Sequence, residues 1–333
     1  MAKSGIKNWI VSGLLLLVGG QALAVQNHLL VISGIAGEEE YRQQFSDMSL
    51  SLYRSASNAG ISNDNIIMLS AQPQAGMSEA HRVSDRESIH RALMEINARA
   101  RPDDRIFLVL IGHGNPRGDS AVFNLPGPDI SAGELAEALE VFEDQTLTII
   151  NTASASGPFI KALTRHNRII ITATSTGREY NAPIFGALFI SAFAKPGADR
   201  DKDERISMLE AFNYARREVR RSYDSDKRLL TEHALLDDNG DGVGSLDPDV
   251  DYAEDRSDGA LANRIYLQQP GAVAAGASSE LTELSKRKQD IEQSIGELKK
   301  QRASMSRDSY YNRLEVLLID LALLSREIRA QGG

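Results

Sequence analysis

The chain of 333 residues contains no cysteine. Disulfides, thiolate metal sites and a cysteine nucleophile are therefore excluded, and stability must come from a packed core, with or without bound ions. A basic surplus is also missing. Lys and Arg total 37 against 46 Asp and Glu, for a formal net charge of −9, and a general nucleic-acid binder would need a basic face. No apolar run reaches the ~20 residues that a bilayer span requires. No repeat with a period of 20–50 residues is visible, and no organic cofactor is expected.

What is present begins with an export signal. Lys3 and Lys7 form a basic start, Trp9 to Val18 an apolar run, and Ala22-Leu23-Ala24 a small-x-small cleavage site. Residues 1–24 read as a signal peptide, with a retained anchor as the plain alternative, so the mature chain is expected to be periplasmic or secreted, with no stable membrane span after signal removal.

From residue 25 to 268, strand and helix signals alternate. His28 to Ile32, Asn65 to Leu69, Arg105 to Ile111, Thr146 to Asn151 and Arg168 to Ala173 are β-rich or continuously apolar. Between them, Glu38 to Asn58 carries Tyr41, Phe45, Met48 and Leu52 at helical spacing. Ser84 with Glu87, and Ser131 with Glu134, read as capping boxes, and Gly157 to His166 as a further helix. Strands separated by helices imply an α/β fold with a mostly parallel central sheet covered on both faces. Residues 269–279 read as a Gly/Ala/Ser-rich linker. Residues 280–330 read as a helical coiled coil or hairpin: Leu314, Leu317, Leu321, Leu324 and Ile328 follow heptad steps, as do Leu281, Leu284, Ile291, Ile295 and Leu298 if Lys288 sits on the seam.

Chemistry in an open α/β sheet is expected beyond the carboxyl ends of the strands. Ile111-Gly112-His113-Gly114 ends one predicted strand, and Asn151-Thr152-Ala153-Ser154-Ala155-Ser156-Gly157 ends the next. If the two strands are neighbours, His113 and Ser154 face one crevice. Glycines there would let a ligand approach the backbone and leave amides free to donate. Taken singly, His113 is as easily a strand-end histidine and Ser154 a helix-capping hydroxyl.

In this order, His-Gly followed by Ala-Ser-x-Ser-Gly resembles the legumain-like and caspase-like peptidases, from His28 to about residue 245. The resemblance implies a caspase-like three-layer sandwich. It also implies that His113 matches the general base, that the Gly114 amide helps form an oxyanion hole, and that Ser154 stands at the nucleophile position, where the family has cysteine. Thr152, Ser156, Thr174 and Ser175 match the surroundings of the binding groove. Thr152 stands where legumain itself has a specificity-shaping acid, so asparagine specificity does not carry over. A thiol can be poised as thiolate beside one histidine. A serine hydroxyl needs a base supported by a third group, and Asp103, Asp104 and Asp119 are only near in sequence. The expectation is a catalytically degenerate homologue, inactive as a cysteine peptidase, that binds a protein or peptide through the groove or the tail. The alternative is an active hydrolase using Ser154 with His113 as base.

Asp199, Asp201, Asp203, Ser207 and Glu210 fall at positions 1, 3, 5, 9 and 12 of an EF-hand-like loop, with Glu204 where the turn-forming glycine belongs. Asp237, Asn239 and Asp241 begin a second such loop, with Gly242 at position 6 and Pro248 at position 12. Both loops suit calcium; the plain alternative is a pair of solvated acidic loops, the first ending in a Ser207/Glu210 capping box. The tail either packs on its own domain or self-associates.

Overall fold

The computed structural model describes residues 25–72, 82–203, 205–248, 257–269 and 279–331. Residues 1–24, expected to be a signal peptide, together with Glu204, residues 249–256 of the second acidic loop and most of the expected linker, lie outside the described residues.

A seven-stranded sheet forms the centre. Its strands are β1 (Asn27–Ser33), β2 (Ile66–Ser70), β3 (Arg82–Val83), β4 (Arg105–Ile111), β8 (Thr146–Asn151), β9 (Arg168–Thr172) and β10 (Leu235–Asp237). They lie in the order β10-β9-β8-β4-β1-β2-β3, and all pairs are parallel except β10 with β9. A small antiparallel sheet of β5 (Gly114–Arg117), β6 (Ser120–Phe123) and β7 (Ile130–Ser131) follows β4 directly.

The apolar strands are buried on both faces by alternation. Leu29, Val31, Phe107, Val109, Ile150 and Ile171 join one core cluster, while Leu30, Ile32, Ile106, Leu108, Ile149 and Ile170 join the other. Successive strand side chains point to opposite faces, so a continuous apolar run feeds two layers. The first core is closed by α1 (Glu39–Asn58), α5 (Phe185–Ala192) and α6 (Met208–Ser225). The second is closed by α2 (Arg86–Asn97), α3 (Ala132–Ala138) and α4 (Phe159–Leu163). This is a three-layer α/β sandwich consistent with a caspase-like fold.

Three local expectations are corrected. Ser84 lies one residue before the N-cap of α2 and donates its hydroxyl to the Ser33 carbonyl at 2.7 Å; Asp85 is the cap and accepts from the Ser88 amide at 2.8 Å. The helix expected from Gly157 shrinks to Phe159–Leu163, because Thr164 is extended and the Gly157 amide is bound to the Thr174 hydroxyl. Ser154 caps no helix. By contrast, the Ser131/Glu134 and Ser207/Glu210 capping boxes both form.

The tail is a hairpin of two helices, α7 (Ser279–Lys300) and α8 (Arg307–Gln331). Leu284, Leu324 and Ile328 meet in a small core with Ile291 packed against it, so apolar residues of both helices meet between them.

Candidate functional site

Strands β4 and β8 are neighbours, with Leu110 beside Asn151, so their carboxyl ends deliver His113 and Ser154 to one end of the sheet. The chain leaves β4 through Gly112-His113 and enters β5 at Gly114. A Cβ on Gly114 would lie 2.5 Å from the Ser154 carbonyl oxygen and 2.9 Å from that of Val122. Only glycine allows the two strand-end turns to approach this closely.

The two side chains do not meet. The Ser154 hydroxyl donates to the Gly114 carbonyl at 3.0 Å and accepts from the Gly114 amide at 3.2 Å. It is buried, and it occupies the amide that the family resemblance assigns to an oxyanion. His113 turns the other way. Its Nε2 lies 3.2 Å from the Ala36 carbonyl, and its ring packs edge-on to Tyr41 and Phe45 at 4.6 and 5.1 Å. Burial pushes the imidazole pKa below its ordinary value, and the Ala36 hydrogen bond and Glu38 only partly oppose this. The ring is therefore neutral at pH 7. Among the described residues no carboxylate hydrogen-bonds to it.

The three acids near in sequence are placed elsewhere. Asp104 is buried at the opposite end of β4. There it approaches His28 at 3.4 Å and accepts from the amides of Gln26 and Arg101. Asp103 precedes it, and Asp119 lies in the exposed turn between β5 and β6.

The residues expected to line a groove are mostly inside. Thr152, Ser156 and Thr174 are buried. Thr152 donates to the Leu110 carbonyl at 2.8 Å; Ser156 and Thr174 join hydroxyls at 3.1 Å and tie the turn after β8 to the turn after β9. Their side chains hold backbone rather than face a ligand, because both turns are pulled into the sheet edge. Ser175 alone of the four is half-exposed.

Sequence reasoning missed Glu179, which organises this edge. Its carboxylate accepts from the Ser175 hydroxyl at 2.5 Å and from the His233 amide at 2.9 Å, and lies 3.2 Å from His233 Nδ1. Its carbonyl accepts the amide of Ala155, which is held at a φ of +53°. No local pattern marks Glu179, because its partners are 4 and 54 residues away.

In the first acidic loop the carboxylates of Asp199, Asp201 and Asp203 lie within 4.8 Å of one another, the one such group of three among the described residues. Glu210 is not with them. One of its oxygens accepts from the amides of Arg200 and Asp201, the other from Ser207. Ser207 is spent on that capping box. The cluster is met from the tail: the buried ammonium of Lys288 bonds Asp203 and lies 3.7 Å from Asp201. Burial and the neighbouring Asp203 push the Asp201 carboxyl up to about 6. Burial works against the Asp203 carboxylate too, but Arg205 and Lys288 outweigh it and hold its pKa below the ordinary range. Lys288→Ala leaves buried carboxylate charge without its partner. The expected result is early proteolytic cleavage around α7 and a loss of about 2 kcal/mol, discounted because Asp201 is largely exposed. Cleavage kinetics matching the parent would show that Lys288 does not hold the hairpin.

The second loop folds onto itself. Asn239 accepts from the Asp241 amide and Asp241 from the Val243 amide, both at 2.8 Å. Asp237 is buried at the end of β10 and accepts from Gly240. Asp258 is buried close by, and burial, with the Asp237 and Asp238 carboxylates adding to it, pushes its pKa up to about 7. The folded chain thus holds this proton more tightly than the unfolded chain, whose value is 3.8. Its stabilising contribution is complete below pH 4 and is lost as pH rises towards 7, by up to about 1.4 kcal/mol per pH unit. In chelator, the urea midpoint should fall between pH 4 and 7, and Asp258→Asn should flatten the fall. An equal slope in both proteins would remove Asp258 as its source.

The fold, a mostly parallel seven-stranded sheet between helical layers, is consistent with a caspase-like α/β sandwich. Residues 87–231, which carry His113, Gly114 and Ser154, match the Peptidase C13 family, the legumain family. No curated protein matches the chain. A crystal structure of the protein GSU0716 from Geobacter sulfurreducens is similar over 64% of this chain and 92% of its own, at 12% identity and a TM-score of 0.41. Among the described residues no helix is long and apolar enough to cross a membrane.

Proposed function

We propose that this protein is an exported legumain-type homologue that no longer cleaves peptide bonds and works as a protein-binding module. The observation that carries this reading is the closed ring between Ser154 and Gly114. A hydroxyl that both donates to and accepts from one backbone unit is neither deprotonated by His113 nor open to a carbonyl, and it fills the amide an oxyanion would need. The tail supports a binding role. Val316, Ile319 and Leu323 follow one another at helical spacing on α8 and are half or more exposed, an apolar stripe suited to a partner protein or a second copy. Calcium at Asp199, Asp201 and Asp203 belongs to the same proposal. It would replace the Lys288 ammonium with a divalent ion, and its addition should raise the melting temperature.

Activity-based labelling tests the reading. The mature protein, with and without calcium, is treated with a fluorophosphonate beside Ser154→Ala and His113→Ala. No labelling of folded protein is expected. Labelling that disappears in both variants would establish Ser154 as nucleophile and His113 as base, and overturn the proposal. The family match favours that second reading. It requires His113 to leave Ala36 and the two aromatic rings.

A further inference from the structure

Helix α6 buries Met208, Leu209, Phe212, Ala215, Val219 and Tyr223. Between those buried positions it carries two arginine pairs, Arg216-Arg217 and Arg220-Arg221, in a protein of net charge −9. Beside it runs an open groove of about 810 Å³, lined by these four arginines and Arg200, with Asp224 and Asp247 as the acids among the described residues that line it. Arg216 pairs with Asp247 at 2.7 Å and Arg221 with Glu218 at 2.9 Å. The side chains of Arg200, Arg217 and Arg220 make no hydrogen bond or ion pair among the described residues.

Arg216 is used by the fold, through Asp247 and the Phe212 ring beneath it, but Arg217 and Arg220 gain nothing comparable among the described residues. Like charges three and four residues apart weaken a helix by a few tenths of a kcal/mol each. The helix dipole offers little relief, since it acts within the last turn, where α6 has no basic residue. An anion in the groove would remove the repulsion.

We infer that this groove is a docking site for an acidic peptide segment of a partner protein. The two arginine pairs lie four residues apart, a rise of about 6 Å along the helix. Alternate side chains of an extended peptide repeat every ~6.7 Å, so successive outward carboxylates can meet successive pairs, with bidentate geometry available at each. A single phosphate would leave most of 810 Å³ empty. Arg216 and Arg220 also border a second cavity of about 110 Å³, with Phe185, Val219, Leu230 and Leu246 on its apolar side and Glu232, His233 and Asp247 on its polar side. That cavity takes one apolar side chain of the same peptide. A lipid surface is flat and cannot enter either space. The site borders neither His113 nor Ser154, so it stands whether or not Ser154 reacts.

The test is fluorescence anisotropy of a labelled Glu-Leu-Glu-Gly-Glu-Gly-Glu peptide with the full mature chain. Saturable binding at low salt is expected, weakened at least tenfold by Arg217→Glu/Arg220→Glu and left unchanged by Arg313→Glu on the tail. A melting temperature equal to the parent's confirms that the double variant is folded; if it is not, Arg217→Ala/Arg220→Ala serves. The glutamine version of the peptide should not bind. Absence of binding at low salt, or equal affinity in the double variant, overturns the inference. Stronger arginine-dependent binding to phosphatidylglycerol vesicles than to the peptide overturns the peptide assignment.

Discussion

Gly157→Ala is expected to lower stability by about 3 kcal/mol or more, the upper end for an overpacked core. A Cβ at this position would lie 2.3 Å from both the carbonyl carbon and oxygen of Ser175, and 2.7 Å from the amide of Thr176. These atoms are backbone, so no rotamer change makes room. The segment that must move also carries the Ser156–Thr174 hydroxyl pair, the Thr174 amide bond to Ser156 and the Gly157–Thr174 hydrogen bond, which tie the β8 turn to the β9 turn. The turn that presents Ser154 should loosen with it. Urea unfolding measures the effect, with Gly133→Ala as its counterpart. Gly133 lies inside α3 with open space around it, and alanine there should stabilise by up to about 1 kcal/mol. Two variants of equal stability would mean that the β9 turn does not lie against Gly157.

Asp238→Ala should be comparably severe. The carboxylate accepts three backbone amides from one short segment: Gly259 at 2.8 Å on one oxygen, and Leu261 at 2.8 Å and Ala262 at 2.7 Å on the other. Alanine leaves these three backbone amides without their acceptor, at about 1–3 kcal/mol for each that stays buried. Thermal unfolding should therefore show a loss of at least about 3 kcal/mol. Asparagine, with a single acceptor oxygen, should recover part of it. Hydrogen exchange at residues 259–262 separates this account from a general loss of stability: those amides should lose protection before the sheet does. Unchanged protection there would contradict it.

The same aspartate shows where sequence reading stopped. Asp237, Asn239 and Asp241 have the spacing of metal ligands, and that pattern drew attention. Asp238 has no pattern, because its partners are 21 to 24 residues ahead. The opposite case is Lys288. On a heptad seam it is an anomaly, and it becomes intelligible once Asp203 is brought against it from 85 residues away. His113 and Ser154 were legible because each ends a strongly apolar strand, and parallel neighbours place such ends together. Whether they touch was not legible. That depends on which way a ring turns between Ala36 and the space above β8, a choice made by the packing of Tyr41 and Phe45.

What the sequence determined by itself is whatever depends on periodicity and local caps: the alternating elements, strands buried on both faces, two of the capping boxes and the paired apolar steps of the tail. These follow from interactions within a few residues, where spacing alone decides the partner. Tertiary structure decided the closed Ser154–Gly114 ring, the inward turn of Thr152, Ser156 and Thr174, the Glu179 hub, the lysine in the acidic loop and the arginine groove along α6. Each joins segments far apart in the chain, and its energy depends on distances of a few tenths of an ångström that only the folded packing sets.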